Sequence, residues 1–375
     1  MSHEILKTED GTYAMAYRLG DALPWHAGET NPQTFAPNAT PQEIAEAARL
    51  NYEVQLVPNC FLDGSPIPES FHISRTDSPT TVYGRFVAGD WQPVQNAALL
   101  DLAAHISERH GFEIITAGAL HGGAKAFVQM ETGEAFTLPG NDKLVSRLLT
   151  TVSHTGAESN KFIGCNTRVV CNNTVRAATG EGAGIICHDH RVSFDHEAIA
   201  TAIGLNAESF GEFADFAQRC AARALTDAEA LDYFRAVLGG KETAEESGLV
   251  RHSIAVRKAM AAHRGQVFQA IGSKDSADVA AYVSDRLDQI ARGASVDLPA
   301  DVTAAPVATI NPGHALESAR GTLWGALNTV TWMSDHQPVK DRGVDFNLAS
   351  NLLGEGTGGK TKAKAQRVAL DLIAA

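Results

Sequence analysis

Between about residues 51 and 192, apolar and polar side chains alternate with a period of two or gather in short β-branched runs closed by turn residues. That period belongs to strands, because successive side chains of an extended chain point to opposite faces. Strands are predicted over 51–57, 71–75, 81–88, 112–119, 125–131, 144–154, 161–170 and 185–194. Two helices interrupt them. One spans 41–50, with Thr40 placed to cap the first turn and Pro41 to occupy its first position. The other spans 96–110 and gathers Leu99, Leu102, Ala103 and Ile106 on one stripe. Connections are short and rich in Gly and Asp, which predicts antiparallel neighbours.

After Asp195 the apolar spacing changes to that of helices. Phe210, Phe213, Ala217, Cys220 and Ala224 define one face, and Thr226 with Glu229 forms a capping box ahead of Leu231, Phe234 and Leu238. Further helices are predicted over 252–263, 276–292, 315–332, 345–353 and 361–374. Residues 293–313, with Pro299, Pro306 and Pro312, read as an irregular connector. The expected fold class is α+β: a strand-rich, antiparallel N-terminal half with inserted helices over 1–195, then an all-helical C-terminal half over 196–375.

The chain has 375 residues, 44% of them hydrophobic, enough for the core of one large domain or two ordinary ones. No stretch approaches the ~18 consecutive apolar residues that a bilayer span needs, and the N-terminal residues lack the pattern of an export signal. No membrane association is expected. Five cysteines, odd in number and thinly spread, suit reduced thiols and predict a cytoplasmic protein. The net charge of -13 argues against a uniformly basic nucleic-acid coat, yet the charge is unevenly spread. Residues 1–140 hold 17 acids against 7 Lys and Arg, while 141–180 carry Lys143, Arg147, Lys161, Arg168 and Arg176 against only Asp142 and Glu158. The C-terminal stretch is also basic through Lys360, Lys362, Lys364 and Arg367.

Gly354 to Thr361 satisfies the phosphate-loop pattern G-x-x-x-x-G-K-[ST]. In a nucleotide site that loop follows a parallel strand, and here a predicted helix precedes it and only 14 residues follow, so a glycine-rich turn between helices is expected instead. Cys165, Cys171, Cys187, His188 and His190 have the side-chain types of zinc ligands in a spacing unlike the usual ribbons. On a strand His188 and His190 would face away from Cys187 and Asp189, so no metal site is assigned and no cofactor is expected. His121-Gly122-Gly123-Ala124-Lys125 reads as a hairpin turn. Around 166–176, Arg168 and Arg176 flank a cluster of side-chain amides that includes Asn172 and Asn173, groups able to bind phosphates and base edges without sequence preference. The opposing account makes them turn formers and ordinary ion pairs.

These residues also carry a resemblance. Asn166 through Thr174, Ser153-His154 with Gly156, Pro24-Trp25-His26, Trp91 through Asn96, Gly321 through Thr331 and Asp335-His336 together resemble the phage/plasmid-like protein family, catalogued as domain of unknown function 932. Thr155 stands where that family tends to have Asp, which weakens any catalytic role for an acid there. The resemblance implies a mobile-element context, often near DNA-maintenance functions, in a bacterial host, and no established catalytic residue. The strand-rich half is similar, at the level of fold, to phage single-strand annealing proteins that assemble as rings.

The expected function is therefore non-enzymatic binding or annealing of single-stranded DNA by a homo-oligomer. Lys143, Arg147, Lys161, Arg168, Arg176, Lys360, Lys362 and Lys364 would neutralise phosphates, while Asn172 and Asn173 supply neutral hydrogen bonds. The enzyme alternative is a metal-dependent nuclease or phosphohydrolase built on His188 and His190. A third reading is an acidic scaffold or host antagonist.

Overall fold

The computed structural model describes residues 6, 8, 11–20, 33–78, 81–87, 91–156, 158–168, 173–176, 185–206, 209–239, 243–244, 250–251, 254–263, 266–270, 302–306, 316–336 and 357–374. In chain order its N-terminal elements are β1 (Met15–Arg18), β2 (Gln33–Phe35), α1 (Pro41–Ala47), β3 (Val54–Cys60), β4 (Pro66–Arg75), β5 (Val82–Val87), α2 (Asn96–His110), β6 (Glu113–Leu120), β7 (Lys125–Leu138), β8 (Asp142–Ser153), β9 (Asn160–Arg168), β10 (Asn173–Arg176) and β11 (Ile185–His188). The C-terminal part contributes α3 (His196–Asn206), α4 (Ser209–Ala222), α5 (Asp227–Leu238), β12 (Thr243–Ala244), β13 (Val250–Arg251), α6 (Ile254–His263), β14 (Gln266–Ala270), β15 (Val302–Pro306), α7 (Leu323–His336) and α8 (Thr357–Ala374).

The main sheet runs β10-β9-β8-β7-β6-β1-β2, and β11 pairs with β9 on the edge that it shares with β10. All of these neighbours are antiparallel except β1 and β2. A separate antiparallel meander joins β3, β4 and β5. The chain is thus α+β with its sheets mostly in the N-terminal half, as the alternation predicts.

Small side chains on one face of the main sheet, Ala117, Ala119 and Ala126, share a core with Val128, Met130, Leu148, Val152 and Phe162, and α2 adds Leu99, Leu102, Ala103 and Ile106. Each large apolar side chain buried there contributes about 1.5–3 kcal/mol. The helix stops at Gly111, whose φ of 70° closes the last turn in the left-handed region. At its start Gln95 does not cap the helix. Its side-chain amide instead pairs with the backbone of β3, accepting from Val54 N at 2.9 Å and donating to Val54 O at 2.8 Å. In α1, Thr40 and Glu43 form a full capping box.

A second core joins α4 to α8 and the tip of the β7–β8 hairpin, where Leu138 and Leu144 meet Phe213, Phe234, Leu323 and Trp324. Its polar pins are buried. Asp142 accepts from Ser318 Oγ at 2.6 Å and from Trp324 Nε1 at 3.1 Å. Asp335 on α7 pairs with Lys362 on α8 at 2.6 Å, and Tyr233 donates to the Ala365 carbonyl at 3.1 Å.

Several expectations change. The C-terminal half is not all-helical, since β12 pairs with β13 and β14 with β15. Val302–Pro306 falls inside the stretch expected to be irregular; its β-branched Val302 and Thr303 are able to pair, and Pro306 ends the strand, where a missing N–H costs little. The helix expected from 315 begins at Leu323, after a turn in which Gly321 adopts φ 65°. β7 continues past Glu131 to Leu138 through a register irregularity that breaks the simple alternation. The helices expected over 276–292 and 345–353 lie outside the described residues.

Candidate functional site

The basic residues of the two expected stretches are partly brought together and partly neutralised. In the sheet register Arg147, Cys165 and Arg176 form one cross-strand row, and Leu144, Arg168 and Asn173 form another. The positive charges of Arg147 and of Lys362, 215 positions apart in the chain, both reach the Cys165 thiol, although burial dominates and pushes that thiol up to about 11. α7 packs on both α8 and the edge strand β10 and so joins the two basic regions.

Three of the expected phosphate ligands are otherwise engaged. Arg147 pairs with Glu131 at 3.0 Å, Lys161 lies 3.6 Å from Glu158, and Lys362 is buried against Asp335. Each of these three cations already faces an internal acid, with which a phosphate would have to compete. Lys143, Lys360 and Lys364 are exposed, with no acid paired to them among the described residues. Arg168, Asn173 and Arg176 sit at backbone positions in β9 and β10, the latter an edge strand, and Asn172 lies outside the described residues.

The glycine-rich motif is only partly described. Gly358, Gly359, Lys360 and Thr361 belong to the first turns of α8, which packs on α5 and α7 rather than behind a parallel strand. Residues 354–356 lie outside the described residues.

The histidines of the enzyme alternative are occupied. His188 Nδ1 accepts from Asn160 Nδ2 at 3.3 Å and Nε2 donates to the Ser193 carbonyl at 3.1 Å. His190 has the Gln92 carbonyl at 3.3 Å from Nδ1 and the Glu158 carbonyl at 2.9 Å from Nε2, with its ring centroid 4.8 Å from that of Trp91. Cys187 points the other way and is exposed, in keeping with strand alternation, and Cys171 lies outside the described residues. Among the described residues no three His, Cys, Asp or Glu side chains gather as a metal set.

A polar centre that the spacing does not announce lies where β8 ends. His154 is fully buried; its Nε2 meets Asn96 Oδ1 at 3.0 Å, while Asn96 Nδ2 donates to the carbonyls of Leu50 and Tyr52 at 3.2 Å each. Two carbonyls fix which end of the amide is nitrogen, so the imidazole proton sits on Nε2 and Nδ1 keeps a lone pair. That lone pair is buried and unpartnered. Burial, then the charges of His190 and Arg75, lower the His154 pKa to about 3.

Two tyrosines wall the ring. Tyr52 stands edge-on at 6.4 Å and Tyr83 stacks at 6.3 Å, each donating its hydroxyl to the turn after β6, Tyr52 to Gly123 O at 2.9 Å and Tyr83 to Gly122 O at 3.0 Å. Burial holds Tyr52 well above the usual phenol range and pushes Tyr83 up to about 12. Arg75 lies 3.9 Å over the Tyr52 ring and forks onto Asp77 at 2.8 and 2.6 Å. A Cβ on Gly123 would come within 2.5 Å of the Tyr83 hydroxyl, so the turn tolerates no larger residue there. Beside it, buried Lys125 pairs with Glu158 at 2.7 Å, so this lysine is not presented to phosphate as the glycine turn alone would allow. The centre ties α2, the meander and the main sheet together.

What the fold and this polar centre define is an α+β protein with its sheets mostly in the N-terminal half. A family profile described as Domain of unknown function (DUF932) matches residues 85–364, and the chain belongs to that family. No curated protein and no solved structure matches it.

Proposed function

We propose that this chain binds single-stranded nucleic acid without acting on it chemically, as an accessory of mobile-element DNA metabolism. The observation that carries the reading is that α7 packs both on α8 and on the edge strand β10, so one helix joins the two distant basic stretches. Around that junction the exposed Lys143, Lys360 and Lys364 would take phosphates, joined by Arg168, Asn173 and Arg176 of the β9–β10 edge. Few cations and an acidic remainder favour a short footprint and a salt slope set by the handful of phosphates neutralised. The resemblance to phage and plasmid proteins supplies the biological setting.

The test is fluorescence anisotropy of a labelled oligonucleotide across a salt series. Affinity should fall as salt rises, and Lys143→Glu/Lys360→Glu/Lys364→Glu should weaken binding and flatten the log–log slope by about 2, since each phosphate that a lysine neutralises on a single strand accounts for roughly 0.7 of that slope. Absence of binding at low salt, or an unchanged slope in the triple variant, defeats the reading.

A further inference from the structure

The meander is anchored at one end only. Val54 and Ile73 are buried in the main core, whereas no residue from 57 to 70 is buried. Among the described residues β5 pairs with β4 only between Phe71 and Ser74, and beyond Phe71 the β3–β4 hairpin is described as two strands. Its tip is shaped rather than frayed: Phe61 N donates to Ser65 O at 2.8 Å, Gly64 N to Phe61 O at 2.9 Å, and Asp63 accepts from Ser65 N at 2.9 Å and Ser65 Oγ at 2.6 Å. On that ordered tip Phe61 is 54% exposed and Leu62 is exposed to the full, at 111%. Pro58, Pro66, Ile67 and Pro68 continue the apolar surface down the arm.

Holding large apolar side chains in water on a projecting ribbon is unfavourable unless another surface covers them. The sign of the arm limits what that surface is. From residue 50 to 74 there is no Lys or Arg, while Glu53, Asp63 and Glu69 are acidic. Phosphate-bearing partners, membrane or nucleic acid, are repelled, and two arms meeting tip to tip would bring acid onto acid. The acceptor has to combine apolar surface with cations. This chain carries such a strip on α8, where exposed Lys360, Lys364 and Arg367 fall at helical spacing on one side beside half-buried Val368.

We propose that the β3–β4 arm is a self-association device that docks on α8 of a second copy, with Phe61 and Leu62 covered by the helix and Asp63 and Glu69 facing Lys360 and Lys364. The contact joins two different surfaces, so it is made reciprocally in a two-fold dimer or head-to-tail in a ring or filament. It also uses lysines assigned above to phosphate, so a polyanion and an incoming arm compete for α8.

Light scattering coupled to size-exclusion chromatography, run on the full chain without nucleic acid at low salt over a concentration series, tests this. The wild type should exceed monomer mass, and Phe61→Ser/Leu62→Ser should elute at monomer mass with an unchanged circular dichroism spectrum. Asp63→Lys/Glu69→Lys should associate less, and combining it with Lys360→Glu/Lys364→Glu should restore assembly. A wild type that is monomeric throughout overturns the proposal, as does a tip variant of wild-type mass or a charge exchange that restores nothing.

Discussion

His154 is held neutral by its burial, and that has a consequence for acid stability. An unfolded imidazole takes up a proton near pH 6.5, whereas here the value falls to about 3. The contribution is complete above about pH 6.5 and is lost as pH falls from there toward 3, amounting to roughly 2 kcal/mol at pH 5. Urea unfolding at pH 7.5 and pH 5 should show this loss in the wild type, and His154→Met should lose correspondingly less between the two pH values. An equal loss in both proteins would show that another group carries the acid sensitivity. The importance of this residue is hard to read from sequence, because its surroundings, Tyr52, Arg75, Tyr83, Asn96 and His190, come from five separate places in the chain. The ion pair of Lys362 is hidden for a related reason: a lysine looks the same in sequence whether its acid is absent or is Asp335, 27 positions away.

Elements whose causes are local are the ones the sequence announces. α2 has the predicted limits because an apolar stripe and a following glycine define it, and the Thr226–Glu229 box opens α5 as the spacing implies. The Glu229 carboxylate is held down to about 2, first by the Thr226 backbone N–H and then by Arg223. Thr226→Ala should lower stability by about 1 kcal/mol, read as a shift in urea midpoint with an unchanged slope, because the exposed N-terminal amides of α5 lose their acceptor. Elements that depend on a distant partner stay hidden: β15 exists through its pairing with β14, and the β3–β4 arm is set apart only by what fails to cover it.

Across the molecule, the C-terminal helices are joined through a charge pair that has left water. Asp335 is 2% and Lys362 10% exposed on their side chains, and their contact bridges α7 and α8. Lys362→Met would take the cation from a buried carboxylate and should destabilise by about 3 kcal/mol or more, whereas Lys362→Met with Asp335→Leu should recover most of the loss; denaturant melts of the two proteins and the wild type check this. A double variant no better than the single one would mean that the pair is not the source of the cost. At the other end of the chain, the Gln95 amide sits where a neighbouring strand would otherwise hydrogen-bond to Val54, and four residues along β3 Pro58 has no N–H to offer. Between them Leu56 alone keeps the outward donor and acceptor that strand addition requires, so this margin of the meander resists β-augmentation. An assembly made through the arm would therefore be joined by side chains rather than by a backbone ladder along β3, which leaves it open to disassembly by salt.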